Sequence, residues 1–234
     1  MIHIVTRGNS AFYQRELSRF FELRREIFVE ERGWHLATTG GEERDEYDDD
    51  QAVYVLNIDS SGDVVAGQRL RSTLTNSMLA DKFPNAVAIK DRPIADERTW
   101  EVTRGFVIPA LRGSAHGQSR AAFRLGTLEA AQQFGIDRML GITEVQTLPW
   151  FFNMGYHIRL IGLPIPTGET SSVAFEIAIN PQAIAHMREV WALEAPSTFA
   201  LDPLSRAPAD LDAVAAHLIE FASVSQAPVA LRAN

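Results

Sequence analysis

Residues 99–117 read Thr99-Trp100-Glu101-Val102-Thr103-Arg104-Gly105-Phe106-Val107-Ile108-Pro109-Ala110-Leu111-Arg112-Gly113-Ser114-Ala115-His116-Gly117. Up to Ile108 the β-branched and aromatic side chains predict a strand, and Pro109, Gly113 and Gly117 end it. Helical spacing then runs over residues 118–134 to Gly135, followed by a strand over 136–145. Upstream, a short strand over 2–6 precedes a helix over 10–31, with Phe12, Leu17, Phe20, Phe21, Leu23, Ile27 and Phe28 on its core face and Gly33 as its stop. Residues 37–50 have lost apolar periodicity and read as a loop. Strands over 52–58 and 64–74 flank Asp59-Ser60-Ser61-Gly62-Asp63, a hairpin turn. Residues 78–98, broken by Pro84 and Pro93, are irregular. Downstream come a short helix over 148–154, strands over 156–163 and 172–179, and a helix opened by Asn180 and Pro181. A polar linker over 202–209 and an Ala-rich helix over 210–222 complete the chain's elements. The fold class is α/β: a mixed, mostly antiparallel sheet flanked by helices, without regular βαβ alternation. The expected domain covers 1–180, with 181–234 a helical extension packed on it.

The chain has 234 residues, 46% hydrophobic and 22% charged, enough to bury a large core without staples. Cysteine is absent, which excludes a disulfide framework, cysteine-ligated zinc, an iron–sulfur cluster and a thiol nucleophile. A formal charge of −8 argues against nonspecific nucleic-acid binding. Lysine occurs only at Lys82 and Lys90, so nearly all cationic recognition falls to arginine. The opening residues lack a leader pattern and no apolar run spans a bilayer, so the expectation is a cytoplasmic protein. His3, His35, His116, His157, His186 and His217 show no metal-ligand spacing, and no metal is expected.

Four constellations carry polar chemistry. Arg24 and Phe28 share a helix face ahead of Trp34, and an acidic run extends from Glu42 to Asp50. Such runs are ordinarily solvated loops. The other reading has Asp45 and Asp48 face a cation under Trp34 as an aromatic lid, and the residues leave both open. Arg69 and Arg71 share one strand face, where two guanidiniums need anions or water. Glu101 and Arg104 fall on opposite faces under strict alternation, so a shared site requires a β-bulge near residues 103–105. Finally, Arg112, Gly113 and Gly117 form a strand-to-helix loop able to receive a phosphate, and Arg120 and Arg124 continue it as a basic stripe.

Taken together, Arg24-x3-Phe28-x5-Trp34, Asp45-x2-Asp48, Gly67-x-Arg69-Leu70-x2-Thr73 and Trp100-Glu101-x2-Arg104-x-Phe106 resemble the acyl-homoserine-lactone synthases, the autoinducer synthases of bacterial quorum sensing. The resemblance spans about residues 1–180. It implies an N-acetyltransferase-like fold and transfer of a fatty acyl group from a thioester to the amine of S-adenosylmethionine. Lactone closure then expels 5′-methylthioadenosine. It further implies that Arg24, Phe28, Trp34, Asp45, Asp48, Arg69, Arg104 and Phe106 shape the S-adenosylmethionine site, with Glu101 and Arg104 catalytic. Thr143 matches an acyl-pocket position, and Trp100, Phe123, Trp150, Phe151 and Met154 are candidates beside it. Arg112, Gly113 and Gly117 are the phosphopantetheine candidates. Residues 20–34 look most like members that take acyl-CoA, with acyl carrier protein the other donor and possible partner; Arg15, Arg19, Arg120 and Arg124 are its candidate docking residues. No cofactor beyond the two substrates is implied. The rival readings are a generic acyl-CoA N-acyltransferase and a non-enzymatic acyl or nucleoside sensor.

Overall fold

The computed structural model describes residues 1–88, 94–204 and 208–225; Pro93 and the middle of the expected 202–209 linker lie outside them. Strand β1 (Ile2–Val5) leads through a 3-10 turn into α1 (Gln14–Arg24). The helix then widens into a π-helical stretch, Arg25–Glu31, and ends at Gly33 with φ +68°. The rod expected over 10–31 is therefore continuous but changes pitch twice. Its wider turns keep Ile27 and Phe28 buried in line with Phe20, Phe21, Leu23 and Arg24, a distortion common beside functional sites.

The stretch expected as a featureless loop contains a small hairpin, β2 (Thr38–Thr39) and β3 (Glu42–Glu43). Gly40 and Gly41 turn it with φ of +61° and +86°, values that a two-residue hairpin turn demands and glycine allows. Next come β4 (Val53–Ile58) and β5 (Val64–Ser72). In their turn the Asp59 carboxylate accepts the Ser61 and Asp63 N–H groups at 2.9 and 3.0 Å. Where irregular chain was expected, Ser77 caps a short helix, α2 (Met78–Lys82).

The deciding stretch forms β6 (Thr99–Val107), two 3-10 turns, and α3 (Gly117–Gln133), closed by Gly135 at φ +76°. Strand β7 (Arg138–Glu144) and α4 (Leu148–Asn153) come after it. The strand expected over 156–163 shrinks to β8 (Ile158–Leu160), with β9 (Ile165–Thr167) unforeseen. Then come β10 (Thr170–Ala178) and α5 (Pro181–Trp191), whose Asn180 cap accepts Ala183 N–H at 2.8 Å. The chain continues through β11 (Phe199–Ala200) to α6 (Leu211–Ser225).

The sheet order is β11-β1-β4-β5-β6-β7-β10-β8, with β9 also on β10. Only β1/β11 and β6/β7 pair in parallel; the rest are antiparallel. On one face α1 packs Phe20, Phe21 and Ile27 against Tyr54, Leu56 and Phe106. On the other, α3, α5 and α6 cover Val53, Val55, Ala66 and Leu70, with Ile184, Met187, Val214 and Leu218 in that same apolar cluster. This is the mixed, mostly antiparallel α/β architecture of N-acetyltransferase-like proteins. Among the described residues no helix is long and apolar enough to cross a membrane.

Two irregularities of the sheet shape the space around β6. Between Gly67↔Phe106 and Arg69↔Thr103 the β5/β6 register shifts, which places the extra residue of a bulge in β6. Arg104 sits there at φ +54°, a left-handed conformation that strains any residue but glycine. The expected bulge is thus present where Glu101 and Arg104 require it. The β6/β7 pairing, moreover, covers only Thr99–Glu101 against Arg138–Leu140. Beyond that point the strands part and a slot opens through the sheet.

Candidate active site

On the α1 side of the sheet, three arginines and three carboxylates alternate in one buried cage. Glu43 accepts Arg24 Nε at 2.6 Å and Arg104 Nη2 at 3.0 Å. Asp48 accepts Arg24 Nη1 at 2.8 Å and the Tyr54 hydroxyl at 3.1 Å. It also pairs with Arg69 at 2.8 Å. Asp45 takes Arg69, in two hydrogen bonds, and Arg104 at 2.9 Å. Arg69 further donates to Thr103 Oγ1 at 3.0 Å, and Arg71 pairs with Asp49. The same-face expectation for Arg69 and Arg71 holds, and each finds an acid.

Asp45 and Asp48, which the sequence left open between a solvated loop and a cation site, are both drawn into the cage. The cations they face are Arg24, Arg69 and Arg104. Their proximity holds Asp48 well below the ordinary carboxylate range despite the opposing cost of burial, and lowers Glu43 as well. Asp45, with 13% of its side chain exposed, is the member at the rim. Glu43 belongs to the acidic run but carried no expectation of its own. The signal for it was the Gly40-Gly41 turn, which folds β3 back and aims Glu43 inward.

Beside the cage, Phe28 and Trp34 stack with ring centroids 5.0 Å apart and 18° between planes. Arg32 lies over both rings at 5.4 and 5.7 Å. These residues border a cavity of about 470 Å³ that enters the β6/β7 slot. Arg104 and Phe106 line it on the cage side; Thr143, Trp150 and Phe151 line it beyond the slot. Arg112 also borders it. Arg24, Asp45, Asp48 and Arg69 stand behind this wall and do not line the cavity.

Several expected residues lie elsewhere. Trp100 packs edge-on against Phe134 in the core, and Phe123 and Met154 are buried without reaching the cavity. Their helical and strand spacing marked them as apolar, but spacing does not separate a pocket wall from a core. Gly117 is small because the Trp191 indole lies over it, where a Cβ would sit 2.7 Å from Cζ3. Gly113 has open space and its carbonyl accepts Arg120. Arg124 is buried and leaves no exposed stripe with Arg120, so it cannot dock a carrier protein. Arg15 is exposed and engages Asp63, and Arg19, half-buried, engages Glu22 and Glu26.

Glu101 is 1% exposed and lies outside the cavity wall. Its carboxylate accepts the Met78 and Leu79 N–H groups at 2.9 and 2.5 Å, at the start of α2. Burial raises its pKa above the ordinary value, and these two bonds offset that in part. Among the described residues no cluster of three metal-ligating side chains occurs.

A strand bulge, strands that part beside it and a cavity entering the gap mark the protein as one of N-acetyltransferase-like fold. A Lactobacillus plantarum protein described as an N-acetyltransferase shares that fold alone, at 17% identity and TM-score 0.51 over 76% of this chain and 99% of its own. The autoinducer synthase family model matches residues 9–186. The chain is 34% identical to the isovaleryl-homoserine lactone synthase of Bradyrhizobium diazoefficiens, over 79% of this chain and 82% of that one. The solved structure of a CoA-dependent acyl-homoserine lactone synthase, BjaI, with SAM and isopentyl-CoA superposes at TM-score 0.79 and 29% identity, covering 94% of this chain and 99% of that one. The chain belongs to the autoinducer synthase family and is an acyl-homoserine-lactone synthase.

Proposed function

We infer that the cavity receives S-adenosylmethionine against Phe28, Trp34 and Arg104, and an acyl-CoA thioester through the β6/β7 slot. The carrying observation is continuity: Phe28, Trp34 and Arg104 line the same space as Thr143, Trp150 and Phe151. The nucleoside amine attacks the thioester carbonyl and loses a proton, and the thiol of the carrier leaves. The carboxylate of the acylated product then attacks the carbon next to the sulfonium, which closes the lactone and expels 5′-methylthioadenosine.

Held amines of this type have a pKa of about 7.7–8.0, so part of the population is already nucleophilic at neutral pH. Positioning two reactants can supply an effective molarity of about 10⁵–10⁸ M. A general base adds about 10²–10⁴. The cage therefore acts chiefly by fixing Arg104 at the β6 bulge, while Glu101 anchors α2 and is the candidate base that the resemblance implies. CoA as donor is supported by the CoA dependence of BjaI. Arg32 supports it too: it has no carboxylate within ion-pair distance among the described residues and is available to an anionic carrier group.

The test is incubation of the purified chain with S-adenosylmethionine and acyl-CoA, with mass spectrometry of the organic extract. An acyl-homoserine lactone and methylthioadenosine in equal amounts are expected. An acylated amine without methylthioadenosine would instead identify a general N-acyltransferase.

A further inference from the structure

Most of the buried guanidiniums of this protein sit on carboxylates: Arg24 on Glu43 and Asp48, Arg69 on Asp45 and Asp48, Arg71 on Asp49. Arg124 does not. It is 7% exposed, projects from α3 into the cavity wall, and meets no carboxylate among the described residues. Its one hydrogen bond there runs from Nη1 to Gln68 Oε1 at 2.5 Å. Its Nε is sealed from solvent and unpartnered.

The rings of Phe123 and Trp150 lie 5.1 and 5.6 Å from the guanidinium carbon. Such contacts offset only part of what burying an unpaired charge costs. Arginine does not escape by losing its proton. The backbone accommodates the group: a Cβ on Gly105 would stand 3.5 Å from Arg124 Nη1 and 3.8 Å from the Gln68 side chain. Because Gln68 spends its carbonyl oxygen on Arg124, its amide N–H groups remain free to donate. Donors from two elements thus converge on the acyl side of the slot, among Trp150, Phe151 and Tyr156.

Gln68 and Arg69 are neighbours on β5 and point to opposite faces of the sheet, so these donors are separated from the nucleoside cage. The thioester carbonyl has to stay near Arg104 for attack, and Arg124 therefore meets the chain beyond it. We propose that the pocket selects an acyl group carrying an oxygen acceptor beyond the thioester, held by Arg124 and Gln68, over a plain hydrocarbon chain. A keto, phenolic or carboxylate oxygen shares the required chemistry. This rests on the acyltransferase reading of the cavity.

Three matched pairs of acyl-CoA test it: hexanoyl against 3-oxohexanoyl, cinnamoyl against 4-hydroxycinnamoyl, and pentanoyl against glutaryl. Methylthioadenosine release is followed at saturating S-adenosylmethionine. At least one oxygenated member is expected to exceed its match in kcat/KM by about tenfold or more, and the pair that does so identifies the oxygen. Arg124→Met should bring that ratio close to one, and Gln68→Leu should lower it in the same direction if Arg124→Met fails to fold. Hydrocarbon members turning over as well as oxygenated ones, or a preference that survives both substitutions, overturns the proposal. Absence of methylthioadenosine with every thioester would instead sink the synthase reading beneath it.

Discussion

Gly117 and Trp191 meet where α3 begins under the end of α5, with 2.7 Å between a Cβ built at residue 117 and the indole. The indole N–H also donates to the Met154 carbonyl at 3.1 Å, so the ring cannot easily yield. Gly117→Ala should therefore destabilise by about 1–3 kcal/mol through overpacking. Adding Trp191→Ala should abolish that penalty, and a urea double-mutant cycle reads the coupling directly. Two additive substitutions would show that the contact carries no strain.

Glu43 joins Arg24 to Arg104 from within the core. Glu43→Gln removes the charge between two buried guanidiniums and should destabilise by about 3–5 kcal/mol. Asp45→Asn, at the rim, should cost less stability and raise the KM for S-adenosylmethionine by loosening Arg104. Urea midpoints and steady-state kinetics on both variants separate the two effects. Trp34→Ala should also raise that KM, with kcat affected less.

Acid should loosen the base of the fold. His3, bonded through Nδ1 to the Tyr13 hydroxyl at 3.0 Å, is lowered to about 4, chiefly by burial. His217, beside Thr6 Oγ1 at 2.8 Å, is lowered as well, again mainly by burial. Between the ordinary histidine pKa of about 6.5 and that lowered value the unfolded chain binds more protons, so stability falls as pH falls. The contribution is complete above about 6.5 and gone below the folded pKa. Melting temperatures across this window should decline in the native chain, and His3→Gln should flatten the slope.

Glu101 is raised by burial, so it stays protonated to higher pH than an exposed glutamate. If it takes the proton, the acid limb of kcat lies above the ordinary carboxylate range. Glu101→Gln should remove that limb and lower kcat by about 10²–10⁴, with lactone still detectable. A limb that persists in Glu101→Gln belongs to another group.

Much of the sheet was legible because alternation and turn chemistry agree locally. The Asp59–Asp63 turn, the Asn180 cap and the bulge needed to unite Glu101 with Arg104 all depend on residues close in sequence. Partnerships across the chain were not legible. The acidic run carried charge but no direction, and only the Gly40-Gly41 turn would have shown that Glu43 points inward to Arg24 and Arg104. Likewise Arg124 reads as one of two surface arginines at helical spacing, because nothing in a single sequence tells which face of α3 meets the sheet. Trp100, Phe123 and Met154 lie in the apolar core and not along the cavity, because apolar character predicts burial without saying against what.

The premature parting of β6 and β7 has a consequence for diversification. Because the gap passes from one surface of the sheet to the other, neighbouring residues of a single strand have separate duties: Gln68 borders the cavity, while Arg69 is locked into the charged cage behind its wall. Substitutions on α3, β7 and α4 can therefore reshape one end of that space while the interlocked charges behind the other end stay as they are.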